Sequence, residues 1–151
     1  MKKTTFKWPL RYMKIAKVVS EWSSCLSRSV GCVITKDNRI VATGYNGAPA
    51  GVKNCKETGV CLRKSSPSGT NLEMCLATHA EQNALIQAAK MGIAVEGGDI
   101  YVTARPCTTC IKLIINAGIK NVYYLEDYPN DLSEKLAKEA GLTLTKLTLD
   151  E

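Results

Sequence analysis

The chain has a single histidine, His79, among 151 residues. Any site here that uses imidazole must therefore use that one residue. No apolar run approaches the ~20 residues that cross a bilayer, so no membrane span is expected. The basic start, Met1 to Pro9, has no apolar segment behind it of the kind a secretory signal carries, and the expectation is a cytoplasmic protein. There is no long Lys/Arg run to mark a nucleic-acid arm, no internal repeat and no low-complexity segment. The seven cysteines are an odd number, which rules out complete pairing into disulfides. Bridges are rare in the cytosol, so clustered cysteines point to metal instead.

What remains is ordinary for a globular protein: 45% hydrophobic and 23% charged residues. At this length one domain spanning residues 1–151 is expected, large enough to bury roughly two thirds of its unfolded surface. The net charge of +6 either favours anionic partners or merely solubilises the surface.

Apolar periodicity from Trp8 to Trp22 predicts an amphipathic helix whose stripe holds Leu10, Met13, Ile15, Ala16, Val18 and Trp22. A linker follows (residues 23–29), then a buried strand from Val30 to Thr35, a turn at Lys36-Asp37-Asn38 and a return strand from Arg39 to Gly44. Gly44-Tyr45-Asn46-Gly47-Ala48-Pro49 reads as a plain turn. It also reads as a place where backbone approaches a ligand and Asn46 bonds a sugar or phosphate. Residues 51–75 have no clear period, and so long an irregular segment in a compact domain needs an anchor such as a metal.

Thr78 followed by Glu81 predicts a capping box opening a helix that stops near Gly92. A strand over 99–103 follows, then a helix from about Cys107 to Asn116 closed by Gly118. The remainder reads as a strand over 121–125, a helix over 132–140 closed by Gly141, and a final strand over 142–149. The order α-β-β-α-β-α-β-α-β predicts an α/β three-layer sandwich. Its five-stranded mixed sheet would be mostly parallel, with one antiparallel hairpin and helices on both faces.

His79-Ala80-Glu81 and Pro106-Cys107-Thr108-Thr109-Cys110 open two of these helices. One imidazole and two thiolates are three zinc ligands, leaving one position for water, as catalytic zinc requires. Glu81, two residues from the imidazole, can handle that water's protons. The combination H-x-E with P-C-x-x-C is the signature of zinc nucleobase deaminases. Cys107-x-x-Cys110 alone would also suit a structural zinc knuckle or a redox pair, but a redox pair has no use for His79 or Glu81.

Over Trp8 to about Tyr128 the chain resembles the deoxycytidylate deaminases of the cytidine/deoxycytidylate deaminase superfamily. The resemblance is carried by Ser27-Arg28-Ser29-Val30-Gly31, Gly44-Tyr45-Asn46-Gly47-Ala48-Pro49, Asn54-Cys55, His79-Ala80-Glu81-Gln82-Asn83-Ala84 and Tyr101-Val102-Thr103-Ala104-Arg105-Pro106-Cys107-Thr108-Thr109-Cys110. It implies the cytidine deaminase-like fold and conversion of dCMP to dUMP and ammonia, feeding dTMP synthesis. It also implies zinc on His79, Cys107 and Cys110, with Glu81 as proton shuttle. Substrate contacts would come from Arg28, Asn46, Ala80, Asn83 and Tyr128, with Arg28 as a solvated loop charge the alternative. Relatives are often homohexamers, activated by dCTP with Mg2+ and inhibited by dTTP. The effector region corresponds to Gly44, Tyr45, Asn46 and Gly47, with Lys90 nearby. Some hold a second, structural zinc. Cys25 and Cys55 match two of its positions, and Cys61 and Cys75 are the thiols available to complete it, unless these two are free. Cys32, within a strand, is expected to be a buried apolar residue. Two other readings compete: a tRNA adenosine deaminase-like enzyme, and a non-catalytic zinc-binding module of the competence type.

Overall fold

The computed structural model describes residues 7–67, 71, 74–127 and 130–149. The elements are α1 (Lys7–Ser20), β1 (Gly31–Lys36), β2 (Arg39–Tyr45), α2 (Cys55–Thr58), α3 (Ala80–Met91), β3 (Asp99–Ala104), α4 (Thr108–Asn116), β4 (Asn121–Glu126), α5 (Asp131–Ala140) and β5 (Thr143–Lys146).

β1 and β2 form a hairpin whose two-residue turn, Asp37 (φ 50°) and Asn38 (φ 61°), has both residues left-handed, matching the twist of the strands. The Tyr12 hydroxyl donates to the Asn38 carbonyl at 2.7 Å and pins this turn to α1. The strand order is β2-β1-β3-β4-β5. The sheet is mixed, as expected, but less parallel than the helix–strand alternation predicts. β1 pairs antiparallel with both β2 and β3, while β3-β4 and β4-β5 are parallel. The β2-α3-β3 crossover does return the chain in the same direction, and β1 simply lies between its two strands.

The sheet faces divide the core. Cys32, Ile34, Ile100 and Val102 point to the side covered by Ala80, Ala84 and Ala88 of α3, Ile111 and Ile114 of α4 and Ala137 of α5. Val33 and Tyr101 point to the other side, against Tyr12, Met13 and Ala16 of α1. This is the expected three-layer arrangement. Cys32 is fully buried, and burial holds its thiol well above the usual range.

Several sequence expectations shift. The buried stripe of α1 is Tyr12, Met13, Ala16, Val19 and Ser20, while Ile15, Val18 and Trp22 are exposed. The helix stops at Ser20, and Trp22 instead packs edge-on against Tyr45, ring centroids 6.1 Å apart. The register is set by Gly31: a Cβ there would lie 2.0 Å from the Ala16 carbonyl oxygen, so β1 presses on the face of α1 carrying Ala16 and Ser20. Within residues 51–75 a short helix, α2, is present. Asn54 caps it, accepting from the Glu57 amide at 2.9 Å while Glu57 accepts from the Asn54 amide at 3.1 Å. The last strand is limited to Thr143–Lys146.

Candidate active site

The carboxyl end of β3 lies beside the start of β1, where the Gly31 amide donates to Thr103 Oγ1 at 3.1 Å. Open α/β sheets bind ligands outside the carboxyl ends of their strands, and this is the carboxyl end of β3. Two helix N-termini arrive at this point. His79 is the N-cap of α3 and Cys107 the N-cap of α4, which puts Cys110 one turn further along the same end. Partial positive charge at both helix starts favours thiolates and other anions between them.

The cap of α3 is displaced by one residue from the Thr78/Glu81 box expected from sequence. The Thr78 amide is taken by the Gly47 carbonyl at 2.7 Å in an isolated bridge. The box residue is instead Gln82, whose Oε1 accepts from the His79 amide at 2.8 Å. Glu81 is thereby spared from capping and turns its carboxyl into the site, 5% exposed.

The structure brings His79, Cys107 and Cys110 together, all ligand atoms within 4.8 Å of one another. His79 Nδ1 is 3.3 Å from Cys110 Sγ and 3.6 Å from Cys107 Sγ. Tetrahedral zinc with its usual Zn–N and Zn–S lengths sets N···S at about 3.5 Å. The donor set thus fits zinc in both chemistry and spacing, with a fourth position left over. Their protons are already shared. The Cys107 thiol is held down to about 4 by hydrogen bonds with Cys110 and His79. Cys110 is pushed far up by that same bond and by burial. His79 is raised by its bond to Cys107. Burial raises Glu81 above the ordinary carboxylate value.

A cleft of about 430 Å³ opens above this cluster. Glu81, His79, Cys107 and Ala80 line it near the ligand cluster, and Arg28, Asn46, Arg63, Lys64 and Arg105 are also on its walls. Ala80 is fully buried. Arg28 lies exposed on the α1–β1 connection. Asn46 is buried and already committed: its Oδ1 accepts from the Val30 amide and its Nδ2 donates to the Arg28 carbonyl, both at 2.9 Å. It therefore braces the segment that carries Arg28. Asn83 does not line the cleft, and its Nδ2 donates to the Tyr45 carbonyl at 2.7 Å. Tyr128 lies outside the described residues. Gly44 packs under α3, and Gly47 bridges to Thr78. Tyr45 is part-exposed, and Lys90 is exposed in the last turn of α3.

The four remaining cysteines form a looser group. Cys25, Cys61 and Cys75 line the same cleft. The buried Cys55 has its thiol raised by burial and, more weakly, by those three sulfurs. Among the described residues they do not draw within 4.8 Å as the His79 set does. Cys61 accepts from the Ser27 hydroxyl at 3.5 Å, which lowers its thiol.

Arg63, Lys64 and Arg105 are cleft residues that the motif reading does not reach. Arg105 offers the clearest sequence signal, a cation immediately before Pro106-Cys107. Its side chain is 5% exposed, with Nη1 3.2 Å from Asp127 and Nη2 3.3 Å from Glu134.

A family profile described as the cytidine and deoxycytidylate deaminase zinc-binding region matches residues 6–126. ComE operon protein 2 of Bacillus subtilis is 40% identical over 146 residues, covering 95% of this chain and 73% of that protein. The deoxycytidylate deaminase of Saccharomyces cerevisiae is 38% identical over 145 residues, and the match spans 46% of its length, so this chain corresponds to less than half of the yeast protein. The dCMP deaminase of cyanophage S-TIM5, crystallised with dCMP and dUMP, superposes with a TM-score of 0.79 at 31% identity, covering 97% of this chain and 99% of that one. The profile spans the His79, Cys107 and Cys110 cluster together with the sheet that positions it, and on that match the chain belongs to the cytidine and deoxycytidylate deaminase family.

Proposed function

We propose that the protein is a zinc-dependent dCMP deaminase, acting as a single domain to convert dCMP and water to dUMP and ammonia. The observation that carries this reading is a buried carboxyl, Glu81, set against the His79, Cys107 and Cys110 cluster on the wall of a nucleotide-sized cleft. The cyanophage relative crystallised with dCMP and dUMP supports the choice of base and phosphate.

When bound, zinc supplies a water whose pKa is lowered to about 7. With water held there, Glu81 would take one water proton and pass it to the ring nitrogen as the oxygen adds to C4 of the cytosine. It would then carry the remaining hydroxyl proton to the amino group, so that the C4–N bond breaks to leave ammonia and a C4 carbonyl. Burial raises Glu81, which suits a group that must both accept and return a proton near neutrality. The Ala80 backbone contacts the base, and Arg28 and Tyr128 hold the phosphate. Asn46 offers the sugar or phosphate what its bonds to Val30 and Arg28 leave free, while Asn83 braces the Tyr45 carbonyl from outside the cleft. Glu81 also argues against a non-catalytic zinc module, which has no use for a proton shuttle.

The finer parts of the proposal extend beyond the cleft. The enzyme is cytoplasmic and feeds dTMP synthesis. It assembles as a homohexamer, activated by dCTP with Mg2+ and inhibited by dTTP at Gly44, Tyr45, Asn46, Gly47 and Lys90. Cys25, Cys55, Cys61 and Cys75 hold a second, structural zinc that anchors residues 51–75. Their shared electrostatic neighbourhood supports that site.

Ammonia release by the purified protein from dCMP, dCTP, cytidine and a tRNA anticodon stem tests the assignment, with dCMP expected to be preferred. Glu81→Gln should lower kcat by about 10²–10⁴-fold. Full activity in that variant would refute the proton-shuttle role.

A further inference from the structure

The cleft walls are electrostatically one-sided. They carry four cations, Arg28, Arg63, Lys64 and Arg105, and one carboxylate, Glu81. Arg105 is already matched by Asp127 and Glu134. Lys64 is different: among the described residues it makes no ion pair within 4.0 Å. Its backbone amide donates to the Cys61 carbonyl at 3.1 Å in a turn that holds residues 61–64 at the cleft wall. The Ser27–Cys61 hydrogen bond fastens that turn to the connection carrying Arg28. Lys64 also borders the adjoining recess lined by Leu26, Ser27 and Cys61. Three cations from two separate loops thus line the same cleft, and a dianion bound in it is attracted to all three.

We propose that Lys64, assisted by Arg63, is a specificity-determining contact for the phosphate of the substrate, additional to Arg28 and placed on the cysteine-bearing loop. The proposal rests on the dCMP deaminase reading and deepens it. Base recognition occurs beside the His79 cluster, where Glu81 is the lone acid. The loop of residues 61–66 supplies charge for the other end of the nucleotide, so the cleft discriminates a nucleoside monophosphate from a nucleoside. The competing role for Lys64 is to steady the Cys61 thiol, which the Ser27 hydrogen bond lowers most and the Arg63 and Lys64 charges lower a little further. In that case the loss on substitution would not depend on the phosphate.

The test compares wild type, Lys64→Gln, Lys64→Arg and Arg63→Gln/Lys64→Gln. It measures kcat and KM for dCMP and deoxycytidine, dUMP affinity by calorimetry, and zinc content. Lys64→Gln should lower the dCMP-to-deoxycytidine ratio of kcat/KM about tenfold, through KM, and the double variant about a hundredfold. Lys64→Arg should recover most of the loss, and zinc content should stay constant. The dUMP affinity should fall in parallel and lose part of its salt dependence. An unchanged ratio, an equal fall for both substrates, or dUMP binding indifferent to Lys64 would overturn the proposal. If wild type releases no ammonia from dCMP, the functional reading fails, while the dUMP titration still decides whether Lys64 reads phosphate.

Discussion

Gly44→Ala tests how the active site is held in place. Gly44 lies on the face of β2 that packs against α3, at a backbone angle any residue can adopt, so its need for glycine is steric. A Cβ there would sit 2.3 Å from the Ala80 carbonyl oxygen and 2.5 Å from the Ala84 amide nitrogen, both main-chain atoms of α3 with no side chain to swing aside. The first turn of the helix must retreat by roughly 1 Å, the difference between that 2.3 Å and an ordinary contact of 3.4 Å. Overpacking of this kind costs about 1–3 kcal/mol. At about 2–4 °C per kcal/mol for a chain of this size, the melting temperature should fall by about 2–12 °C. That turn carries His79 and Glu81, and a displacement of about 1 Å at a catalytic group can cost ~10²-fold in rate. Gly92→Ala is the control: its Cβ meets nothing within 4 Å, and only the φ of +69° is strained, costing about 1 kcal/mol. Thermal denaturation and kcat per bound zinc should separate the two variants. Both should melt lower, and only Gly44→Ala should lose turnover. A Gly44→Ala protein with wild-type stability and wild-type kcat would refute the packing argument and leave effector binding as the reason for that glycine.

The pairing at Arg105 should show an asymmetry in denaturant unfolding. Asp127→Asn with Glu134→Gln strands a guanidinium that is 5% exposed and should cost about 2 kcal/mol, while Arg105→Met leaves carboxylates 52% and 64% exposed in water and should cost less than about 1 kcal/mol. The reverse order would mean that the ion pairs stabilise by themselves. Elemental analysis should find two zinc ions per chain, and Cys61→Ser/Cys75→Ser should reduce this to one, with KM for dCMP rising because the turn that carries Arg63 and Lys64 loses its anchor. One zinc in wild type would eliminate the structural site.

The cluster of metal-ligand residues was legible because its parts are local. His79 and Glu81 are two residues apart, Cys107 and Cys110 three, and each pair begins a helix whose own pattern is clear. The fold class was legible for the same reason, since alternating periods of 3.6 and 2 mark layers without knowledge of contacts. Adjacency was not legible. Helix–strand alternation gives the direction of β3 relative to β2, but the insertion of β1 between them depends on pairing along the sheet edge. The cap of α3 was misplaced for a comparable reason. Thr78 is the better capping side chain by type, but a long-range bridge to Gly47 had already taken its amide. In α2 the signal is present, as Asn54 and Glu57 at capping-box spacing, but a helix of four residues is too short to show a period.

Polar residues beside a catalytic motif invite a reading as ligand contacts, and the stretch from Gly44 to Gly47 shows why geometry must qualify it. The Asn46 side-chain oxygen accepts from the Val30 amide and its side-chain nitrogen donates one hydrogen to the Arg28 carbonyl, so any contact it makes with a nucleotide uses what is left. Asn83 spends its amide on the Tyr45 carbonyl, on the strand directly below α3. Gly47 closes the bridge to Thr78, one residue before the histidine. These bonds link the Arg28 segment, β2 and the start of α3 into one unit around the cleft. Movement at the Gly44–Gly47 stretch, from a substitution or a bound effector, is therefore mechanically connected to both the cation rim and the His79–Glu81 turn, whichever ligand the stretch itself contacts.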